Sequence, residues 1–251
     1  MTHSILIIGQ SNMSGRGIPS EAPALSFRNI KMLRNGRWQN AFRPICPDRT
    51  TAGVCLAETF ARRYADEHPG VDVGIIPCSD GGTSLSQWRE GGLLYDNTVY
   101  QTRLALRTST VVAVLWHQGE ADCGESKHPL YYERALAIFE ALRRDLDLGD
   151  VPFILGGLGD FLKDRTESPQ FVNYHYVNAA LRRICEEDPL YAYVDASGLS
   201  ANADNLHFNA SSLHEFGYRY YEAFKKIEKT DRVFEEKLAP DDAVRTAMEE
   251  L

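Results

Sequence analysis

Ile5-Leu6-Ile7-Ile8 runs without interruption into Gly9-Gln10-Ser11-Asn12-Met13-Ser14-Gly15. Four consecutive apolar residues suit a strand buried on both faces, which is how the strands of a parallel sheet read. The glycines that follow permit a tight turn, so Ser11 falls at the carboxyl end of that strand. In an open α/β sheet this edge is where ligands and reacting groups gather. A serine there either caps the next helix or acts as a nucleophile beside the backbone N–H groups of that helix, which can hold an oxyanion. The second role requires a base and a group that orients the base.

Both occur near the far end of the chain. Asp204-Asn205-Leu206-His207-Phe208 places a carboxylate three residues before an imidazole. On a helical turn or a tight loop, that spacing lets Asp204 reach the proximal ring nitrogen of His207. The distal nitrogen is then left to take a proton from Ser11, while the carboxylate fixes the tautomer and stabilises the imidazolium. Asp-x-x-His alone has little specificity; its value comes from the Ser11 turn.

Two other apolar strands end in polar, glycine-bearing turns. Ile75-Ile76-Pro77-Cys78 leads into Asp80-Gly81-Gly82-Thr83-Ser84, and Val111 to Trp116 leads into His117-Gln118-Gly119-Glu120. Gly82 offers a backbone N–H with no side chain in the way, and Gln118 offers a side-chain amide. With the N–H of Ser11, three donors are available for one developing negative charge.

Together, Gly-Gln-Ser-Asn-Met, Gly-Gly-Thr-Ser, His-Gln-Gly-Glu and the late Asp-x-x-His resemble the SGNH/GDSL hydrolase superfamily. The pattern is most similar to its sialate O-acetylesterase and acetylxylan esterase branch, carbohydrate esterase family 6. The four blocks occur in order from about Ser4 to Lys226. The resemblance implies a single α/β/α sandwich with a mainly parallel, flavodoxin-like sheet, and carbohydrate O-acetylesterase activity without a cofactor. It implies Ser11 as nucleophile, His207 as base, Asp204 as orienting acid, and an oxyanion hole of Ser11, Gly82 and Gln118. The wider superfamily usually has Asn where this chain has Gln118. Glu120 competes with Asp204 as the partner of His207, with spacing favouring Asp204, or instead holds a loop or contacts substrate. An acetylated sugar would meet Arg16, Trp88 and Arg89, with Trp88 stacking on a sugar face or lying in the core, and the arginines meeting substrate or solvent.

Segment patterning leads to the same fold class. Strand-like runs at Ser4–Ile8, Ile30–Leu33, Asp72–Pro77, Val111–Trp116, Phe153–Gly156 and Tyr191–Val194 alternate with helical patterns. The latter are Cys55–Asp66, Thr98–Leu106, Leu130–Leu146, Phe171–Glu187 and Leu213–Lys226. Such alternation predicts a parallel sheet covered by helices on both faces. Asn35-Gly36 marks a hairpin at a sheet edge. The esterase domain is expected over residues 1–228. An acidic extension is expected over residues 229–251, with room for a short helix at Ala243 to Leu251, packed on the domain, touching a second subunit or fraying.

The 251 residues suffice for a full core without disulfides, and the net charge of −8 disfavours nucleic acid as a partner. Five scattered cysteines and no leader-like start to the chain point to a reducing, cytoplasmic setting, or to secretion if a leader was removed. No apolar run is long enough to span a membrane, and self-association is left open. His117, Glu120, Asp122, Cys123 and His128 cluster in sequence without paired ligand spacing, so no metal site is expected. Two rival functions stay in view. One is an esterase or thioesterase acting on a non-carbohydrate ester, and the other is a non-catalytic carbohydrate-binding protein.

Overall fold

In the computed structural model, which describes residues 2–228, Ile5, Leu6, Ile7 and Ile8 are fully buried in strand β1 (Thr2–Gly9). Strand side chains alternate between faces, and here the alternation builds two cores. Ile5 and Ile7 pack with α2 (Ala57–Glu67) and α7 (Ala210–Glu228) through Phe60, Tyr64, Phe216, Tyr220 and Phe224. Leu6 and Ile8 pack with α4 (Leu93–Ala105), α5 (Tyr131–Leu146) and α6 (Tyr174–Glu187) through Tyr95, Phe139, Leu142 and Leu181. Each such side chain contributes roughly 1.5–3 kcal/mol on burial. The result is three layers with the sheet between.

The remaining strands are β2 (Ile30–Arg34), β3 (Arg37–Asn40), β4 (Asp72–Pro77), β5 (Thr110–His117), β6 (Phe153–Gly156) and β7 (Tyr191–Val194). Their order is β3-β2-β4-β1-β5-β6-β7. All neighbours are parallel except β2 and β3, which form the expected edge hairpin. Its turn residues Asn35 and Gly36 have φ of 52° and 71°, the pair of left-handed positions that a type I′ turn demands. β4 lies on one side of β1 and β5 on the other, so the chain reverses its direction of travel across the sheet at β1. The crevice beyond the strand ends therefore opens where Ser11 emerges.

Helix boundaries differ from the sequence expectation chiefly at α4, which starts at Leu93 rather than Thr98, and at α6, where a 3₁₀ turn (Pro169–Asn173) precedes the α-helix. Two one-turn helices, α1 (Ser11–Ser14) and α3 (Leu85–Trp88), are too short to show a periodic pattern. The expected helix at Ala243 to Leu251 and the acidic extension lie outside the described residues. No helix among those described is long and apolar enough to cross a membrane.

Candidate active site

At the end of β1 the backbone of Gly9 touches that of β5. A Cβ on Gly9 would lie 2.0 Å from the His117 carbonyl oxygen, and φ is +143°, so only glycine fits. The next N–H, that of Gln10, donates to the same carbonyl at 2.9 Å. This junction fixes where α1 begins, and Ser11 is its first residue. Helix-opening N–H groups have no acceptor within the helix, which leaves the Ser11 N–H at the crevice.

The Ser11 hydroxyl lies 2.9 Å from His207 Nε2, and His207 Nδ1 lies 2.6 Å from Asp204 Oδ2. The loop carrying the last two explains the Asp-x-x-His spacing. Asp204 Oδ1 accepts the N–H groups of Leu206 and His207, each at 3.0 Å, while Asn205 takes a left-handed φ of 48°. One carboxylate thereby folds its own turn with one oxygen and meets the imidazole with the other. Burial works against the charged form of Asp204, but the His207 N–H, the His207 ring and the Leu206 N–H outweigh it and hold the carboxyl below its usual range. An ionised carboxylate only accepts. Nδ1 therefore carries the proton and Nε2 accepts from the Ser11 hydroxyl. The Arg165 guanidinium also donates to the Asp204 carbonyl.

Glu120 does not reach His207. It is buried with Oε1 2.6 Å from Asn12 Nδ2 and 3.4 Å from His117 Nε2. Asp204, not Glu120, partners the imidazole.

The loop bearing Gly82 is held from both sides. Gly81 N–H donates to Asp48 Oδ2 at 2.7 Å, and the Thr83 carbonyl accepts from Gln118 Nε2 at 3.0 Å. Gly82 itself is exposed with φ of +76° and open space before it. A Cβ on Gly81 would lie 3.4 Å from that of Ser11 and 2.5 Å from the Arg16 guanidinium. The loop therefore borders the serine, and glycine is required at 81 because a buried ion pair fills the adjoining space.

Trp88 takes the core position, one of its two expected places; Arg16 takes neither of its expected places; and the Gln118 amide is already engaged. Trp88 is only 1% exposed, edge-on to Trp116, with its indole N–H on Thr83 Oγ1 at 2.9 Å; it is core and presents no face to a sugar. Arg16 is buried as well, bound through both terminal nitrogens to Asp48 at 3.0 and 2.7 Å. Gln118 Nε2 donates to the Thr83 carbonyl at 3.0 Å and to Asp122 Oδ2 at 2.6 Å, with Gln10 Oε1 a third acceptor at 3.3 Å. The physical reason is Asp122, a buried carboxylate that needs donors and takes the Leu85 N–H as its other one. Gln118 thus ties the two loops together and reaches an oxyanion only by breaking one of those bonds.

Arg89 is exposed and lines a cavity of about 410 Å3 with Leu85, Arg134 and Ile138, apart from the Ser11 group. His117 is buried among Phe208, Phe216 and Tyr220, and His128 stacks on Tyr176. Burial pushes the Cys123 thiol up, which leaves it inert as a nucleophile. Sequence reasoning missed Asp48, whose Pro47-Asp48-Arg49 setting carries no signal. It also assigned nothing to Asn12, although that residue stands inside the first block.

A family model described as carbohydrate esterase, sialic acid-specific acetylesterase matches residues 1–226. The chain belongs to that family. As a member it is a carboxylic ester hydrolase. This carbohydrate esterase is 27% identical over 246 residues to a protein of Arabidopsis thaliana named as a probable carbohydrate esterase, covering 87% of this chain and 88% of the relative. A solved Arabidopsis thaliana structure superposes with a TM-score of 0.76 at 26% identity, covering 89% of this chain and 98% of that one. NanS follows with a TM-score of 0.71 at 18% identity, covering 92% and 98%. A lipase/acylhydrolase of Enterococcus faecalis shares the fold at a TM-score of 0.57 and 13% identity, covering 89% and 96%. The esterase therefore has the SGNH-type α/β architecture that its four blocks imply.

Proposed function

We propose that this esterase removes O-acetyl groups from carbohydrates through an acetyl-enzyme formed on Ser11. The observation that carries the reading is the hydrogen-bonded line from Asp204 through His207 to Ser11. Ser11 Oγ attacks the ester carbonyl while its proton passes to His207 Nε2. The tetrahedral oxyanion is held by the N–H groups of Ser11 and Gly82, with the Gln118 amide a third donor if it swings off Thr83 or Asp122. His207 then protonates the departing sugar oxygen, the C–O bond breaks, and acetyl stays on Ser11. Water, deprotonated by His207, attacks the acetyl carbonyl, and collapse releases acetate and restores the Ser11 hydroxyl. Each backbone donor is expected to contribute about 3 kcal/mol to the transition state. Family membership supports an acetylated sugar as substrate; the proposal covers the sialic acid and xylo-oligosaccharide types.

The test is acetate release from O-acetylated sialic acid and from acetylated xylo-oligosaccharides, by the intact protein and by Ser11→Ala. Release that vanishes in the variant is expected, and the faster substrate identifies the sugar. Equal release by both proteins removes Ser11 from the mechanism. Failure on both sugars, with activity on simple aryl or thioesters, reassigns the substrate.

A further inference from the structure

Asn12 stands directly after Ser11 and is 1% exposed. Its side chain spans both peptide groups of His207. Nδ2 donates to the Leu206 carbonyl at 3.1 Å, and Oδ1 accepts the Phe208 N–H at 3.0 Å. The turn that presents Ser11 Oγ therefore also holds the backbone on either side of the imidazole. Behind it, Glu120 Oε1 accepts the remaining Nδ2 hydrogen at 2.6 Å. An amide can rotate about its last bond to exchange oxygen and nitrogen, and the carboxylate forbids that exchange because it only accepts. Glu120 thus joins the Leu206 carbonyl and the Phe208 N–H in dictating which way Asn12 faces.

Resting on the reading of Ser11 and His207 as nucleophile and base, we infer that Asn12 and Glu120 are positioning residues that set the Ser11–His207 register. The carboxylate of the His-Gln-Gly-Glu block acts on the imidazole through the backbone, by way of Asn12, and not as a second acid beside Asp204. Misplacing a reacting group by about 1 Å costs on the order of 100-fold in rate, so a partial loss of this bracket should be visible in kcat.

The experiment compares Asn12→Asp, Glu120→Gln, the double variant and Ser11→Ala, with circular dichroism and melting as fold controls. Asn12→Asp keeps the acceptor for Phe208, loses both donors, and sets two carboxylates against each other. We expect kcat to fall about 30-fold with KM within twofold, and labelling of Ser11 by a sulfonyl fluoride to slow in parallel. Glu120→Gln alone should lower kcat about threefold, since its oxygen still accepts from Asn12. In the double variant the amide introduced at position 120 can donate to the carboxylate introduced at position 12. The link then re-forms with reversed polarity, and about tenfold of the lost rate returns. Full kcat in Asn12→Asp, or a loss that the double variant does not reverse, overturns the inference. If Asn12→Asp does not fold, Glu120→Ala takes its place, with a fall in kcat of about tenfold expected and an unchanged kcat overturning it. If Ser11→Ala stays active, it is the catalytic reading that fails, independently of this one.

Discussion

The Arg16 guanidinium grips the Asp48 carboxylate through both terminal nitrogens, and each of the two side chains is less than a tenth exposed. Asp48 Oδ2 also takes the Gly81 N–H, so the pair anchors the loop that carries Gly82. Removing one partner of a buried pair leaves a charge without compensation. Asp48→Ala should therefore lower unfolding free energy by about 3 kcal/mol in urea titration. It should also lower kcat, because Gly81 loses its tether. A variant as stable as the parent would show that the clamp has little weight.

Asp204→Asn tests the orienting acid. The amide can donate to Nδ1, which favours the tautomer with its proton on Nε2, where no proton can then be accepted from Ser11. A fall in kcat of about 1,000-fold is expected at neutral pH, with modest change in KM. A fall below about tenfold would separate Asp204 from the chemistry.

Trp88 provides a contrast, because its burial predicts a change in stability and none in binding. Trp88→Phe loses the indole N–H to Thr83 and part of the ring volume against Trp116. The expected cost is about 1–3 kcal/mol by chemical denaturation, with KM for acetylated sugars within twofold. A large rise in KM at unchanged stability would restore Trp88 to the substrate.

Glu120 gives a pH signature. Burial opposes its charge, but the His117 ring and the Asn12 amide outweigh burial and hold its carboxyl below the ordinary 4.5. A depressed carboxyl binds its proton less readily folded than unfolded. Its stabilising contribution is then complete above the unfolded value and lost as pH falls through the lower folded value. Unfolding free energy measured from pH 7 downward should decline below about pH 4.5 in the parent, and less steeply in Glu120→Gln. Parallel curves would remove Glu120 as the source of the slope.

The strands were legible because buried parallel strands are nearly unbroken apolar runs. Asp72–Pro77, Phe153–Gly156 and Tyr191–Val194 match residue for residue. The Asn35-Gly36 turn was legible because its backbone angles admit few residue types. Ser11, His207 and Asp204 could be paired because Asp204 builds a local turn that dictates a three-residue spacing. What escaped were side chains whose partners lie far off in the chain. Nothing local in Pro47-Asp48-Arg49 announces Arg16 or Gly81, and the direction of the Gln118 amide depends on a buried Asp122 and on Thr83 from another loop. Trp88 was ambiguous because one helical turn has too few residues to define a buried face.

Ser11 and His207 lie 196 residues apart in the chain, yet the hydroxyl and the imidazole are 2.9 Å apart. During synthesis the serine emerges with β1, and its base follows only after β7, just ahead of α7. On the proposed mechanism, no nascent chain that stops short of His207 carries the base, so acetate release during synthesis would time the arrival of the imidazole at Ser11.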